Sequence, residues 1–241
     1  MKKEDNPIDW NYIDNPIDGA VYLGGLISDK IEQLKDLPLL FFISGGSCFD
    51  VLPSIKLNDF QNVTVIVLDE RFDQTNENNN FSQLLKNQWS EYFLKRGGDF
   101  IATNVISGEN QQQLADRFKN EIESWINENR NGRMIALFGM GGDGHTAGIF
   151  PHKENPELFE TLFNGSNIIA SYDATGKNKF TARITTTNAL FEKLEAGYAY
   201  VFGKDKHLAL QDFRINEKAS NELPVMLLRN VKNVKIVTDL E

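Results

Sequence analysis

Six short apolar runs punctuate the chain: Leu39 to Ile43, Val63 to Leu68, Met134 to Phe138, Asn167 to Ser171, Tyr198 to Phe202 and Val234 to Val237. Each is bounded by turn residues and is continuous rather than alternating, the pattern of strands buried on both faces in a parallel sheet. Between many of them the apolar positions change to helical spacing. Ile17 to Lys35 carries Val21, Leu26, Ile27, Ile31 and Leu34, and Gln111 to Asn127 carries Leu114, Phe118, Ile122, Trp125 and Ile126. Phe81 to Leu94 is a third helical stretch. Strands alternating with helices predict an α/β fold: a single doubly wound, mostly parallel sheet flanked by helices. Ala182 to Thr187 is a shorter β-rich run, read as an antiparallel addition. With no internal repeat and no long linker, residues 1–241 are expected to form one domain. Asp73 to Asn80 is polar and rich in Asn; it reads as a solvated surface loop or, because it follows a strand, as a lid.

Composition narrows the partners. The net charge of −9 disfavours nucleic acid, as no run of Lys or Arg exceeds two residues. A small anionic substrate stays compatible if a few cations converge locally. The single cysteine, Cys48, excludes an internal disulfide and a cysteine-based zinc site. No apolar stretch approaches the ~20 residues that span a bilayer, and no apolar segment follows the charged start of the chain. A cytoplasmic protein is therefore expected, without a membrane partner, as a monomer or weak homo-oligomer.

In an open α/β sheet, ligands bind beyond the carboxyl ends of the strands, so chemistry should follow the apolar runs. It does so three times. After Leu39 to Ile43 comes Ser44-Gly45-Gly46-Ser47, whose glycines let backbone amides approach an anion and whose Ser47 adds a hydroxyl. The alternative is a plain turn with a serine cap. After Val63 to Leu68 comes Asp69-Glu70-Arg71, either a substrate clamp of guanidinium and carboxylates or a structural ion pair. After Met134 to Phe138 comes Gly139-Met140-Gly141-Gly142-Asp143-Gly144-His145-Thr146, which leaves Asp143 and His145 as its reactive side chains. A histidine titrates near neutral pH and suits a general base. Arg183 and Lys206 are two further cations near strand runs, available for an anion.

In this order and spacing, the segments resemble the 6-phosphogluconolactonase family, a relative of the glucosamine-6-phosphate isomerases (deaminases), from about Ile17 to Val237. The most specific part is Gly139 to Pro151, similar to the lactonase pattern Gly-x-Gly-x-Asp-Gly-His-Thr-Ala-Ser-Leu-Phe-Pro. The isomerases usually have Ile after the histidine and then Ala-Phe-Asn-Glu-Pro. Thr146 and Phe150-Pro151 therefore favour the lactonase side. Ser44 to Ser47 resembles the family's phosphate loop and Asp69-Glu70-Arg71 its Asp-Glu-Arg motif. Arg183-Ile184-Thr185 and Gly203-Lys204-Asp205-Lys206 resemble its Arg-Ile-Thr and Gly-x-x-Lys segments.

The resemblance implies hydrolysis of 6-phospho-D-glucono-1,5-lactone without metal or redox cofactor. His145 would be the general base, oriented by Asp143. Arg183 and Lys206 would hold the phosphate with Gly45, Gly46 and Ser47, while Asp69, Glu70 and Arg71 complete the substrate site. The three histidines, His145, His152 and His207, show no metal-ligand spacing. Cys48-Phe49 stands where the family usually has Thr-Pro, removing a hydroxyl and a helix-starting proline and weakening the expected phosphate affinity. Asp73-Gln74 and Asn79-Asn80 stand where Val-Pro and Ser-Asn are usual, and Gly142 where Pro is common. The alternatives are a deaminase/isomerase-like enzyme and a lapsed sugar-phosphate-binding protein.

Overall fold

The continuous apolar runs build the centre of an all-parallel sheet. The computed structural model describes residues 8–241. In chain order these form β1 (Ile8–Tyr12), α1 (Pro16–Gln33), β2 (Leu39–Ile43), β3 (Val63–Val67), β4 (Asp69–Arg71), α2 (Asn80–Lys86), α3 (Gln88–Leu94), β5 (Asp99–Phe100), α4 (Gln111–Glu128) and β6 (Arg133–Gly139). There follow α5 (Pro156–Phe159), β7 (Ile169–Asp173), β8 (Ala182–Thr186), α6 (Asn188–Phe191), β9 (Ala196–Val201), α7 (His207–Ile215) and β10 (Val234–Thr238). Seven strands pair in the order β1-β10-β9-β6-β2-β3-β5, all parallel. Every residue of β2 and β9 is buried, as a strand covered on both faces requires.

The strand order reverses between β2 and β6. From β2 the chain moves outward through β3 to β5; from β6 it moves the other way through β9 to β10. Their carboxyl ends therefore diverge into a crevice, the position where such sheets bind ligands.

The helices follow their stripes. In α1, Leu23, Ile27 and Ile31 are buried, and the helix packs beside β9 and β10, while Val21 faces solvent. Asn15 caps it by accepting from the Asp18 amide, and Pro16 occupies its first turn. In α4, Leu114, Phe118 and Ile122 are buried, and a reciprocal cap between Asn110 and Gln113 starts the helix.

Three expectations change. The run from Asn167 to Ser171 contributes β7, which pairs antiparallel with β8 in a second sheet of order β4-β8-β7. Only its first positions form an apolar run; Ser171 is half-buried and Asp173 exposed, so one of its faces is open. The antiparallel addition expected at Ala182 to Thr187 is the middle strand of that sheet. Strand β1 carries no continuous apolar run: Ile8-Asp9-Trp10-Asn11-Tyr12 alternates, as an edge strand does. The helix expected over Phe81 to Leu94 breaks at Asn87, whose side chain accepts from the Trp89 amide and starts a new helix. Among the described residues no helix is long and apolar enough to cross a membrane.

Candidate active site

At the crevice between β2 and β6, loops from both sheets enclose a cavity of about 280 Å³ lined by Gly45, Arg71, His145, Gly148, Arg183 and Lys206, among others. A larger cavity, about 650 Å³, lies at the opposite, amino-terminal ends of β2 and β3, near Leu39, Phe60, Val63 and Tyr92. It holds none of the residues that the motifs single out. The smaller one gathers a histidine, two guanidiniums and an ammonium at the strand carboxyl ends, and chemistry rather than size identifies it.

The loop after β6 folds back on itself. The Thr146 hydroxyl donates to the Gly139 carbonyl at 2.8 Å, and the Gly141 amide to the His145 carbonyl at 2.9 Å. This carries His145 into the cavity with its Nδ1 at 2.6 Å from Asp143 Oδ1, an oxygen that also accepts from the His145 amide at 3.1 Å. Burial alone would raise the Asp143 pKa, but the hydrogen bond and charge of His145 outweigh it and hold the carboxyl below its ordinary value. An ionised Asp143 keeps the proton on Nδ1 and leaves a lone pair on Nε2. The Phe150 ring packs against the imidazole with centroids 4.6 Å apart, so the imidazole is held by a hydrogen bond at Nδ1 and by an aromatic neighbour.

The cations come from separate elements. Arg183 on β8 is only 5% exposed and pairs with Asp69 of β4 through Nη2 and Oδ2. Arg71 lies over the Phe180 ring, 4.5 Å from its centroid, and donates through Nη1 to the Asn78 carbonyl at 3.2 Å. Burial, and then the charge of Arg183, lower the Arg71 pKa. The Nε atoms of both arginines are buried without a hydrogen-bond partner. Buried donors in that state call for an acceptor from outside. Lys206, just past β9, lines the same space, and its side chain has no hydrogen-bond or ion-pair partner among the described residues. The amides of Gly45, Gly46 and Ser47 likewise find no acceptor there. The segment after this loop forms a short 3₁₀ turn, Gly46–Asp50, rather than an α-helix. Cys48 is fully buried beside Gly139, and burial pushes its thiol pKa up; its side chain is not at the cavity wall.

Glu70 is an expected site residue that the structure does not bring to the cavity. Residues alternate across a strand, so β4 turns Asp69 and Arg71 to the cavity and Glu70 away from it. Glu70 is fully buried and accepts from the Arg71 amide at 2.8 Å, the Phe81 amide at 3.0 Å, the Thr103 hydroxyl at 2.9 Å and the Asn80 amide. Burial pushes its pKa up to about 7 against the pull of these donors. It fastens the start of α2 to β4, a structural task.

That fastening delivers Asn80, which the sequence placed at the family's Ser-Asn position without a site role. Asn80 lines the cavity, and its Nδ2 donates to the Asp69 carbonyl at 2.9 Å. Its amide sits so close to Gly45 that a Cβ there would stand 2.4 Å from Asn80 Oδ1, which explains glycine at 45. Ser44, Ala147 and Gly148 also line the space. The Asn-rich loop preceding Asn80 is braced rather than free. Asp73 accepts from the Thr75 amide at 3.0 Å and the Asn78 amide at 2.9 Å, which hold its pKa down at about 2. Asn76 exchanges hydrogen bonds with the backbone of Val105.

Known proteins share this plan. A 6-phosphogluconolactonase of Neisseria meningitidis is 23% identical over 231 residues, covering 93% of this chain and 95% of that protein. The crystal structure of a 6-phosphogluconolactonase from Shewanella baltica superposes with a TM-score of 0.75 at 17% identity, over 96% of this chain and 97% of that one. That of Thermotoga maritima gives 0.74 at 18% identity, over 96% and 99%. At these identities the structures establish a common fold. The sequence model of the glucosamine-6-phosphate isomerases/6-phosphogluconolactonase family matches residues 26–237, nearly the whole extent of both sheets, and the chain belongs to that family.

Proposed function

We propose that the chain hydrolyses 6-phosphogluconolactone to 6-phosphogluconate. The observation that carries this reading is the 2.6 Å His145–Asp143 hydrogen bond in a cavity whose other walls present Arg71, Arg183 and Lys206. The cations and the loop amides of Gly45, Gly46 and Ser47 suit a phosphate dianion, with Arg183 and Lys206 as its principal partners. His145 Nε2 takes a proton from water as the water oxygen bonds to the lactone carbonyl carbon. The ring C–O bond then breaks, and the proton passes from His145 to the departing ring oxygen. The products are a carboxylic acid, which ionises, and a hydroxyl on the opened chain. The chemistry requires no electron transfer, and the residues named here supply every proton movement. On this reading one domain acts on a freely diffusing substrate in the cytoplasm, as a monomer or weak homo-oligomer.

The test is a coupled assay on freshly generated lactone, read against spontaneous hydrolysis. Wild-type protein should accelerate ring opening, and His145→Ala should lose roughly 10²–10⁴-fold in rate. Retention of near-full activity by His145→Ala would remove His145 from this role. Ammonia release from glucosamine 6-phosphate, without lactone hydrolysis, would transfer the site to the isomerase branch of the family.

A further inference from the structure

The loop beyond His145 contains a feature that the family motifs do not explain. Thr146 and Ile149 face each other as an isolated antiparallel bridge, with the Ile149 amide donating to the Thr146 carbonyl at 2.8 Å. Only Ala147 and Gly148 lie between them, and both are left-handed, with φ of 47° and 68°. Two consecutive positive φ values are the mark of a tight two-residue reversal, normally made from Asn or Gly. Alanine in the first position is strained and needs to be held there.

Two hydroxyls from the small antiparallel sheet hold it. The Thr185 hydroxyl of β8 donates to the Ala147 carbonyl, and the Tyr172 hydroxyl of β7 donates to the Gly148 carbonyl. The Thr185 hydroxyl has one proton, and its other acceptor in range, the Thr186 carbonyl, is farther away at 3.0 Å. In a trans peptide the C=O and N–H lie in one plane and point to opposite sides of the C–N bond. With the Ala147 carbonyl drawn onto β8, the Gly148 N–H points away from that sheet. Gly148 and Ala147 both line the cavity, and the buried Gly148 amide has no acceptor among the described residues. Buried amides are almost always paired, so this one is kept open for a ligand atom.

We propose that the Gly148 amide stabilises the oxyanion of the tetrahedral intermediate, and that Thr185 is the positioning residue that aims it. This rests on the hydrolytic reading of the cavity. As water adds to the lactone carbonyl, the carbonyl electron pair moves onto its oxygen, which becomes anionic and accepts the Gly148 hydrogen bond. The pair returns when the ring C–O bond breaks, and His145 protonates the ring oxygen. One loop thus carries both the base, His145, and, three residues later, the oxyanion donor, whose geometry is set from β8.

The experiment compares wild type, Thr185→Val and Thr185→Ser for kcat, KM and inhibition by 6-phosphogluconate. Loss of an oxyanion donor lowers kcat by roughly 10²–10³-fold, and a misaimed one by less. Thr185→Val should therefore lower kcat about tenfold or more, with KM and product inhibition within about twofold of wild type. Thr185→Ser, which keeps the hydroxyl, should restore kcat. An unchanged kcat in Thr185→Val overturns the proposal, as does a loss that Ser fails to restore or a parallel loss of product binding. A wild-type protein without lactonase activity overturns the hydrolytic reading and this inference together. An active wild type with an unaffected Thr185→Val overturns this inference alone.

Discussion

Arg71 and Arg183 are direct partners across the antiparallel pair of β4 and β8. Like charges in that position repel, and Asp69 pairs with Arg183 alone among the described residues. An anion held by both guanidiniums would relieve that repulsion. Inorganic phosphate should therefore raise the melting temperature of the wild-type protein, with about 2.7 kcal/mol of stabilisation at a hundredfold excess over its Kd. Arg183→Ala and Lys206→Ala should each reduce that shift, measured by thermal denaturation across a phosphate series. In the lactonase assay the same variants should lower kcat/KM for the phosphorylated lactone while leaving a non-phosphorylated lactone little changed.

Asp143 serves His145 through its carboxylate, so Asp143→Asn should lower kcat. An amide can present its NH₂ to Nδ1 and favour the wrong tautomer, an error that reaches ~10⁴-fold for a buried triad aspartate. Here the carboxylate side chain is 48% exposed, and water can partly replace it, so a smaller loss is expected. The pH dependence has a definite sign. A carboxyl whose folded pKa is depressed contributes stability above its unfolded pKa, near 3.9, and loses it as pH falls through the lower folded value. Acid melting curves of wild type and Asp143→Asn should therefore converge at the most acidic end.

Gly148 and Gly46 share a φ of 68° but not a setting. A Cβ at 148 would stand 2.7 Å from both Arg183 Nη2 and Asp69 Oδ2, whereas at 46 it would meet nothing within 4 Å. Gly46→Ala should cost only the left-handed penalty, about 1–2 kcal/mol. Gly148→Ala should cost more and also weaken the phosphate-induced melting shift, because it pushes the Asp69–Arg183 pair apart. Equal melting temperatures for the two variants would contradict this.

Glu70 bears on stability rather than on substrate contact. Its folded pKa is raised to about 7 from an ordinary 4.5, so between those values the folded protein binds more protons than the unfolded chain. Stability then falls as pH rises through that window. Glu70→Gln should remove this slope. It should also destabilise by about 1–3 kcal/mol, since its NH₂ would confront donors that Glu70 now accepts from. Chemical denaturation at a series of pH values measures both effects.

Much of this was legible along the chain. Continuous apolar runs such as Leu39 to Ile43 and Tyr198 to Phe202 marked the parallel core, because burial on both faces leaves no room for alternation. Gly139 to Thr146 marked the loop that brings His145 to the cavity, because glycine clusters and a histidine at a strand end are locally written. Less local matters were not legible. Glu70 and Arg71 are neighbours in a motif, yet the pleat of β4 sends one into the core and the other to the cavity. Asn80 looked like loop and became a cavity wall through hydrogen bonds to residues ten and eleven positions earlier.

By itself the sequence determined the α/β class, the strand ends that line the cavity and the residue types gathered there, since periodicity and local backbone preference act over a few residues. Only the tertiary structure decided that Arg183 pairs with Asp69, 114 positions away, and that Arg71 stands opposite it. The same holds for the clamping of the Ala147–Gly148 turn by hydroxyls from β7 and β8. Those contacts depend on strand register and on the packing of a second sheet against the first, and register is a property of pairs of segments that neither segment encodes alone.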